Sequence, residues 1–482
     1  MPDPLDRERT KIVATLGPST SDLGTLRQLC DAGVNVYRLN FSHGTLDEHA
    51  GVLGRVRQAI EESGRTAAVL GDLCGPKIRL DPIRDGAMFV AAGDSLTIQR
   101  KEIEGADGRV STNYDRLVDE VEVGHRVLID DGSVRFEVAE KRANELVCRC
   151  TASGTLRTRK GINLPDSTLS VGSLTDDDRE CVAWAAEHEL DYLALSFVRR
   201  SEDLDELREL ACTLGVNAHL VAKIEKPEAL DDIDRIIDSA DALMIARGDL
   251  GVEMDLARVP VIQKDLIRRC RRRFRPVIVA TQMLQSMIDN PSPTRAEVSD
   301  VANAIYDGAD AVMLSGETAV GNHPVEAVRT MGHIARVTEE YRLHGPGGVE
   351  PGGFATQGRD HYSAIAEGLG RIVADVRPRL VVVWSHSGAM ARHVSKLHLA
   401  VPVIAVGDVP GALRRMALYF GVIPENLDCR TVEKMRAVVD EHVLERRVLA
   451  PGDRVVLVGG TPTLEADPST TIAIHTIPAE EG

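Results

Sequence analysis

Two stretches of the 482-residue chain carry side chains that could do chemistry together: Val221-Ala-Lys-Ile-Glu-Lys-Pro227 and Ala242-Leu-Met-Ile-Ala-Arg-Gly-Asp-Leu-Gly251. Each is a short apolar run that ends in charged residues and a turn signal, the pattern of a buried strand. Side chains two apart on a strand share a face. Lys223 and Glu225 therefore point one way, as do Arg247 and Asp249. If the two strands are parallel neighbours, Glu225 and Asp249 meet at their C-terminal ends. Two hard oxygen ligands beside a Lys and an Arg suit Mg²⁺ and a phosphate. The alternative is a pair of ordinary strand-end salt bridges.

Other polar residues follow apolar runs in the same way. Arg38, Asn40, Ser42 and His43 close Val34–Ser42, Asp72 closes Ala67–Asp72, and Ser196, Thr281 and Ser315-Gly-Glu317 close three more. Each has a plainer reading. Arg38 pairs with a nearby carboxylate, Asn40 and Ser42 satisfy turn backbone, and His43 before Gly44 is a turn residue. No Ser-His-Asp arrangement points to acyl transfer. Lys223 stands out, because a buried lysine needs a reason.

The elements that would position these residues alternate. Strands are expected at Lys11–Thr15, Val34–Ser42, Ala67–Asp72, Leu190–Phe197, the two opening stretches, Pro276–Thr281 and Ala311–Ser315. Helices lie between them, the first capped by Ser21 and the last running from Pro324 to about Arg342. Eight strand–helix units predict a closed (β/α)₈ TIM barrel, whose active sites lie at the C-terminal ends of the strands. A doubly wound sheet is the alternative, but no glycine-rich dinucleotide turn is present. Between 80 and 171 the texture changes to short β runs and Asp-Gly turns, which reads as a small β domain inserted above the barrel mouth as a lid. The division is then barrel over 1–79 and 172–343, lid over 80–171, a Gly/Pro-rich linker over 344–360, and a C-terminal α/β domain over 361–482.

The totals agree with several domains. The net charge of −17 argues against general nucleic-acid binding. No run is long enough to span a membrane, the N-terminus lacks a signal-peptide core, and eight scattered cysteines without a C-x-x-C pair suggest a reduced, cytoplasmic protein.

Longer motifs then carry a resemblance. Lys11-Ile-Val-Ala-Thr-Leu-Gly-Pro-Ser19, Asp31-Ala-Gly-Val-Asn-Val-Tyr-Arg-Leu-Asn-Phe-Ser-His-Gly44, the Ala242–Gly251 stretch, Ala280-Thr-Gln-Met-Leu284, Pro293-Thr-Arg-Ala-Glu297 and Leu314-Ser-Gly-Glu-Thr-Ala319 resemble the pyruvate kinase family. The resemblance implies a barrel, a β-barrel lid and a C-terminal regulatory α/β domain, with phosphoenolpyruvate and ADP as substrates. It implies Mg²⁺, replaceable by Mn²⁺, on Glu225 and Asp249. Lys223 would offset charge on the moving phosphoryl group, and Arg38 would bind that group. Gly248 and Asp249 would lend backbone N–H groups to the substrate carboxylate, which Thr281 would also contact, and a water relay near Thr281 and Ser315 would protonate the enol. Asn40, Phe41, Ser42, His43, Arg79 and Lys160 would face the nucleotide. A homotetramer is implied as well.

Two departures matter. In family members that need K⁺, the ion is held at positions matching Asn40, Ser42, Asp72 and the Leu73 carbonyl, with a Glu where this chain has Lys77. Lys77, Leu73 and Leu80 resemble the branch that works without K⁺. Near the Ser385-His-Ser-Gly388 loop, Thr461–Ser469 replaces a glycine-rich effector segment, so Glu465 and Asp467 predict poor activation by a sugar bisphosphate. The rival readings are a metal-dependent 2-oxo-acid aldolase or lyase and a catalytically silent regulatory paralogue. Neither uses a lid lysine together with an intact Lys223, Glu225 and Asp249.

Overall fold

The computed structural model describes residues 8–344, 360–427, 429, 431–440, 449–460 and 470–478. Most of the expected linker and the whole of Thr461–Ser469, with Glu465 and Asp467, lie outside these residues.

Eight parallel strands close into a barrel, each hydrogen-bonded to the next in chain order. They are Lys11–Thr15, Val36–Asn40, Ala68–Asp72, Tyr192–Leu195, His219–Ile224, Ala242–Ala246, Val277–Ala280 and Ala311–Leu314. The helices between them begin where short polar side chains cap orphan N–H groups. Thr45, Thr175 and Thr294 each form a capping box with the acid three residues on, Glu48, Asp178 and Glu297. The first helix, Leu23–Ala32, is capped by Asp22 and not by Ser21: the Asp22 carboxylate accepts from the Thr25 N–H at 2.9 Å. Gly33 ends it at φ 115°, a left-handed conformation that glycine adopts without steric cost.

Strand periodicity places the polar residues. Val13, Val36, Leu70, Ala194, Val221, Met244, Ile278 and Met313 share one buried cluster, the packed interior of the barrel. Two residues further along the first five of these strands, on the same face, come Thr15, Arg38, Asp72, Ser196 and Lys223. Ser315 stands in the same relation to Met313. The barrel core is therefore apolar in its middle layer and polar where it opens at the C-terminal ends of the strands.

Strands from Ala87 to Asn163 form a six-stranded sheet and a two-stranded ribbon around one core of Ile98, Val127, Phe136, Leu146 and their neighbours. This insert follows the third barrel strand. The C-terminal domain is a five-stranded sheet, parallel except for its last strand, Thr470–Thr476. It sits under the barrel, where Lys11 Nζ donates to the Val422 carbonyl at 2.7 Å and the Tyr192 hydroxyl donates to the Arg415 carbonyl at 2.6 Å. Asp191 pairs with Arg414 at 2.7 Å, and Asp310 pairs with Lys396. Met416, Leu418 and Tyr419 join the cluster that fills the barrel interior, so the two domains share one apolar core.

Candidate active site

The mouth of the barrel is organised by a buried chain of charges. Arg38, 8% exposed, donates from Nε to Asp72 Oδ2 at 2.7 Å and from Nη1 to Thr15 Oγ1 at 2.9 Å. Asp72 Oδ1 lies 3.0 Å from Lys223 Nζ, which lies 2.9 Å from Glu225 Oε1 and donates to Ser196 Oγ at 2.6 Å. Burial alone would lower the Lys223 ammonium, but Asp72 and Glu225 together hold it above its usual value, so it stays charged. Burial likewise pushes the Asp72 carboxyl up, while Lys223 and Arg38 hold it below the usual carboxylate range.

Glu225 is fixed by its backbone surroundings. Its Oε2 accepts the Phe197 N–H at 2.9 Å, and Phe197 sits at φ 56°. Asp249 lies on the short helix Arg247–Glu253, which starts where the sixth strand ends. The expectation of an extended Arg247–Asp249 segment is therefore corrected. Arg247 turns away from the mouth to Asp300, at 2.7 Å, and to the Thr281 carbonyl, at 3.0 Å. It leaves Asp249 without the cation that alternation on a strand would have supplied. Burial, and then the negative charge of Glu225, push the Asp249 carboxyl up to about 6. Two mutually repelling carboxylates fit a hard divalent cation. Among the described residues no cluster of three or more His, Cys, Asp or Glu side chains could hold a metal. The pair alone suits Mg²⁺, which keeps several waters and shares its sphere with substrate oxygens.

The Thr281 hydroxyl donates to the Ala280 carbonyl and accepts the Gly248 N–H, both at 2.7 Å. Thr281 is at φ 70° and Gln282 at φ 56°, a conformation a β-branched residue rarely adopts. A Cβ on Gly248 would come within 3.1 Å of the Thr281 hydroxyl, so the close approach depends on that glycine. Ser315 Oγ is buried with no hydrogen-bond partner among the described residues.

Beside this set, between mouth and lid, lies a cavity of about 480 Å³ whose wall includes His43, Lys77, Arg79, Lys160 and Asp249. Burial, and then Lys77, Arg79 and Arg38, lower the His43 imidazole, so it faces the cavity neutral near pH 7. Lys160 pairs with Asp130 of the lid at 2.8 Å. Lys77 Nζ donates to Ser42 Oγ at 3.0 Å, and Asn40 Oδ1 accepts the Ser42 N–H at 3.2 Å. The Leu73 carbonyl accepts from Ser196 Oγ at 2.7 Å. The Phe41 ring instead packs edge-on against Trp184, with centroids 5.6 Å apart, and belongs to the core behind the barrel. Thr15, which anchors Arg38, was not singled out from the sequence. Its place as the last inward position of the first strand is the signal that would have found it.

A family model described as "Pyruvate kinase, barrel domain" matches residues 7–328, and one described as "Pyruvate kinase, alpha/beta domain" matches 363–475. The chain is 40% identical over 479 residues to a pyruvate kinase of Geobacillus stearothermophilus, covering 98% of this chain and 81% of that one. It is 40% identical over 473 residues to a pyruvate kinase of Mycobacterium tuberculosis, covering 97% and 98%. The crystal structure of a pyruvate kinase from Cryptosporidium parvum superposes with a TM-score of 0.89 at 32% identity, covering 98% of this chain and 97% of that one.

Proposed function

The chain belongs to the pyruvate kinase family, and we propose how its own residues carry out phosphoryl transfer from phosphoenolpyruvate to ADP. Arg38 binds the phosphoryl group from its anchorage on Asp72 and Thr15. Lys223 faces the same group, and the charge it keeps through Asp72 and Glu225 offsets the negative charge on the oxygens in flight and on the enolate left behind. Gly248 and Asp249 offer backbone N–H groups to the substrate carboxylate, with Thr281 beside them. Asn40, the Phe41 backbone, Ser42, His43, Arg79 and Lys160 form the nucleotide side, Lys160 being carried by the lid. A water near Thr281 and Ser315, whose hydroxyl has no hydrogen-bond partner among the described residues, delivers the final proton to carbon.

Glu225 and Asp249 would hold Mg²⁺ or Mn²⁺. When bound, the ion supplies Lewis-acid neutralisation of substrate oxygens. We assign the cation pocket of Asn40, Ser42, Asp72 and Leu73 to Lys77, whose ammonium already bonds Ser42. The enzyme then works without K⁺. We take residues 1–79 and 172–343 as the barrel, 80–171 as its lid and 361–482 as the regulatory domain of a cytoplasmic enzyme. We take the enzyme to be a homotetramer; an exposed apolar stripe of Val298 and Tyr306 on helix Arg295–Asp307 and Val337 and Tyr341 on helix Pro324–His344, with the two tyrosine rings 6.1 Å apart, offers a face for a second copy.

One observation carries this reading: a buried, charged Lys223 held between Asp72 and Glu225, beside a cavity walled by Lys77, Arg79 and Lys160. The test is pyruvate formation from phosphoenolpyruvate and ADP before and after chelation of divalent ions. Activity lost on chelation and restored by Mg²⁺ is expected. Undiminished activity after exhaustive chelation would contradict the metal assignment.

A further inference from the structure

Glu253, outside the set described above, is 3% exposed and ends the helix that carries Asp249. Residues four apart on a helix share a face, so Glu253 follows Asp249 down the same side. Its Oε1 accepts two bonds, one from Lys226 Nζ at 2.6 Å and one from Asn163 Nδ2 at 2.7 Å. Its Oε2 is buried with no hydrogen-bond partner among the described residues. Lys226 directly follows Glu225, and its ammonium lies 5.8 Å over the ring of Phe197, whose N–H holds Glu225. Asn163 belongs to the lid strand Ile162–Asn163, three residues after Lys160, and pairs across to Leu128.

A single carboxylate oxygen therefore joins the Asp249 helix, the Glu225 loop and the lid strand beside Lys160. A buried ion pair with an unsatisfied oxygen is a poor source of stability, because desolvation offsets much of its attraction. Its use is geometric: three separately encoded segments are held in one register, as supporting residues hold the direct ligands of a metal site.

We propose that Glu253 is a positioning residue, the pivot that ties the lid to the Glu225–Asp249 site and so sets where Lys160 meets the nucleotide. The Asn163 bond fixes the root of the lid, and the Lys226 bond fixes the barrel side of the same hinge. The lid swings about this point rather than detaching from it. Loss of the lid bond loosens the lid wall of the nucleotide site, while the phosphoenolpyruvate side keeps its own anchors, Arg38 on Asp72 and Thr15, Lys223 between Asp72 and Glu225, and the Gly248 N–H on Thr281.

The inference rests on the placement of the nucleotide along the lid wall, and the experiment separates the two. In Asn163→Ala, amide exchange over Arg126–Ile129 and Ile162–Asn163 should quicken with Tm unchanged. The KM for ADP should rise about five- to tenfold, the scale of one lost buried hydrogen bond, while half-saturation by phosphoenolpyruvate and kcat stay within twofold. Glu253→Gln, whose amide oxygen can still accept both bonds, should stay near wild type, whereas Glu253→Ala should match or exceed Asn163→Ala. Should Glu253→Ala fail to fold, Asn163→Ala decides alone. Unaltered lid exchange with an unaltered KM for ADP overturns the tie. Quickened exchange with unaltered ADP saturation overturns the nucleotide placement on which the inference depends. An equal rise for both substrates marks a merely structural role and overturns the inference as well.

Discussion

At the scale of single residues, the charges at the barrel mouth are buried and unequally shared. Lys223 pairs with Asp72 and Glu225 at once, while Asp249 feels Lys223 and Lys77 only through space. Glu225→Gln and Asp249→Asn each replace a carboxylate proposed to hold the metal with a neutral amide. Both should raise the Mg²⁺ concentration needed for half-maximal activity, read by titration. Unchanged half-saturation in both would move the metal elsewhere. Lys77 is a second case. Its ammonium bonds Ser42 and is tethered positive charge that needs no ion from solution. Turnover with only a bulky organic cation present should therefore match turnover with KCl at equal ionic strength. Lys77→Glu should lose activity without K⁺ and regain part of it when K⁺ is added. A tenfold or greater stimulation of the wild type by K⁺, about 1.4 kcal/mol in the barrier, would contradict the assignment.

At the scale of elements, the barrel strands were legible because parallel strands buried on both faces read as apolar runs. The ends of six agree within two residues, Lys11–Thr15 as it stands and Val34–Ser42 shortened to Val36–Asn40, while the two stretches expected to run to Pro227 and Gly251 leave the sheet at Ile224 and Ala246. The inward alternation was legible for Lys223 and Glu225. It failed at Arg247–Asp249, where the chain turns into a helix directly after Ala246. Nothing local marks that turn, since Arg-Gly-Asp-Leu-Gly suits a loop as well as a short helix. The junction at Glu253 was invisible for a different reason: Asn163 and Glu253 are 90 residues apart, and only the folded lid brings them together. Thr281 tests the helix start. Thr281→Val keeps the shape but leaves the Gly248 N–H and the Ala280 carbonyl without their partner, at a cost of about 1–3 kcal/mol. Its kcat/KM for phosphoenolpyruvate should fall at least tenfold, while Thr281→Ser should stay within threefold. Equal rates for Val and Ser would remove the hydroxyl from the site.

At the scale of the whole molecule, the C-terminal domain completes the barrel core from below, through Met416, Leu418 and Tyr419. The polar ring around that contact includes His219, at the start of the fifth strand. Its imidazole is pushed down to about 4 by burial, against the pull of Asp241 and with the push of Arg415, Arg392 and Arg208. A folded value below the ordinary 6.5 means that the unfolded chain binds the proton first. Stability is then intact above about pH 6.5 and declines as pH falls toward 4, by roughly 1.4 kcal/mol per unit at most. His219→Gln should flatten the fall in urea midpoint between pH 7 and 5. An identical fall in that variant would assign the acid sensitivity to other groups.

The central claim is that phosphoryl transfer happens at this mouth and depends on the Lys223 charge. The measurement is the initial rate of pyruvate formation from phosphoenolpyruvate and ADP with saturating Mg²⁺, for wild type and Lys223→Met, with circular dichroism confirming that both are folded. A cation at the point of charge development is worth several kcal/mol in the barrier. The account therefore predicts a wild type that turns over and a variant slower by roughly 10² to 10³-fold or more. A folded variant within tenfold of the wild type would contradict it.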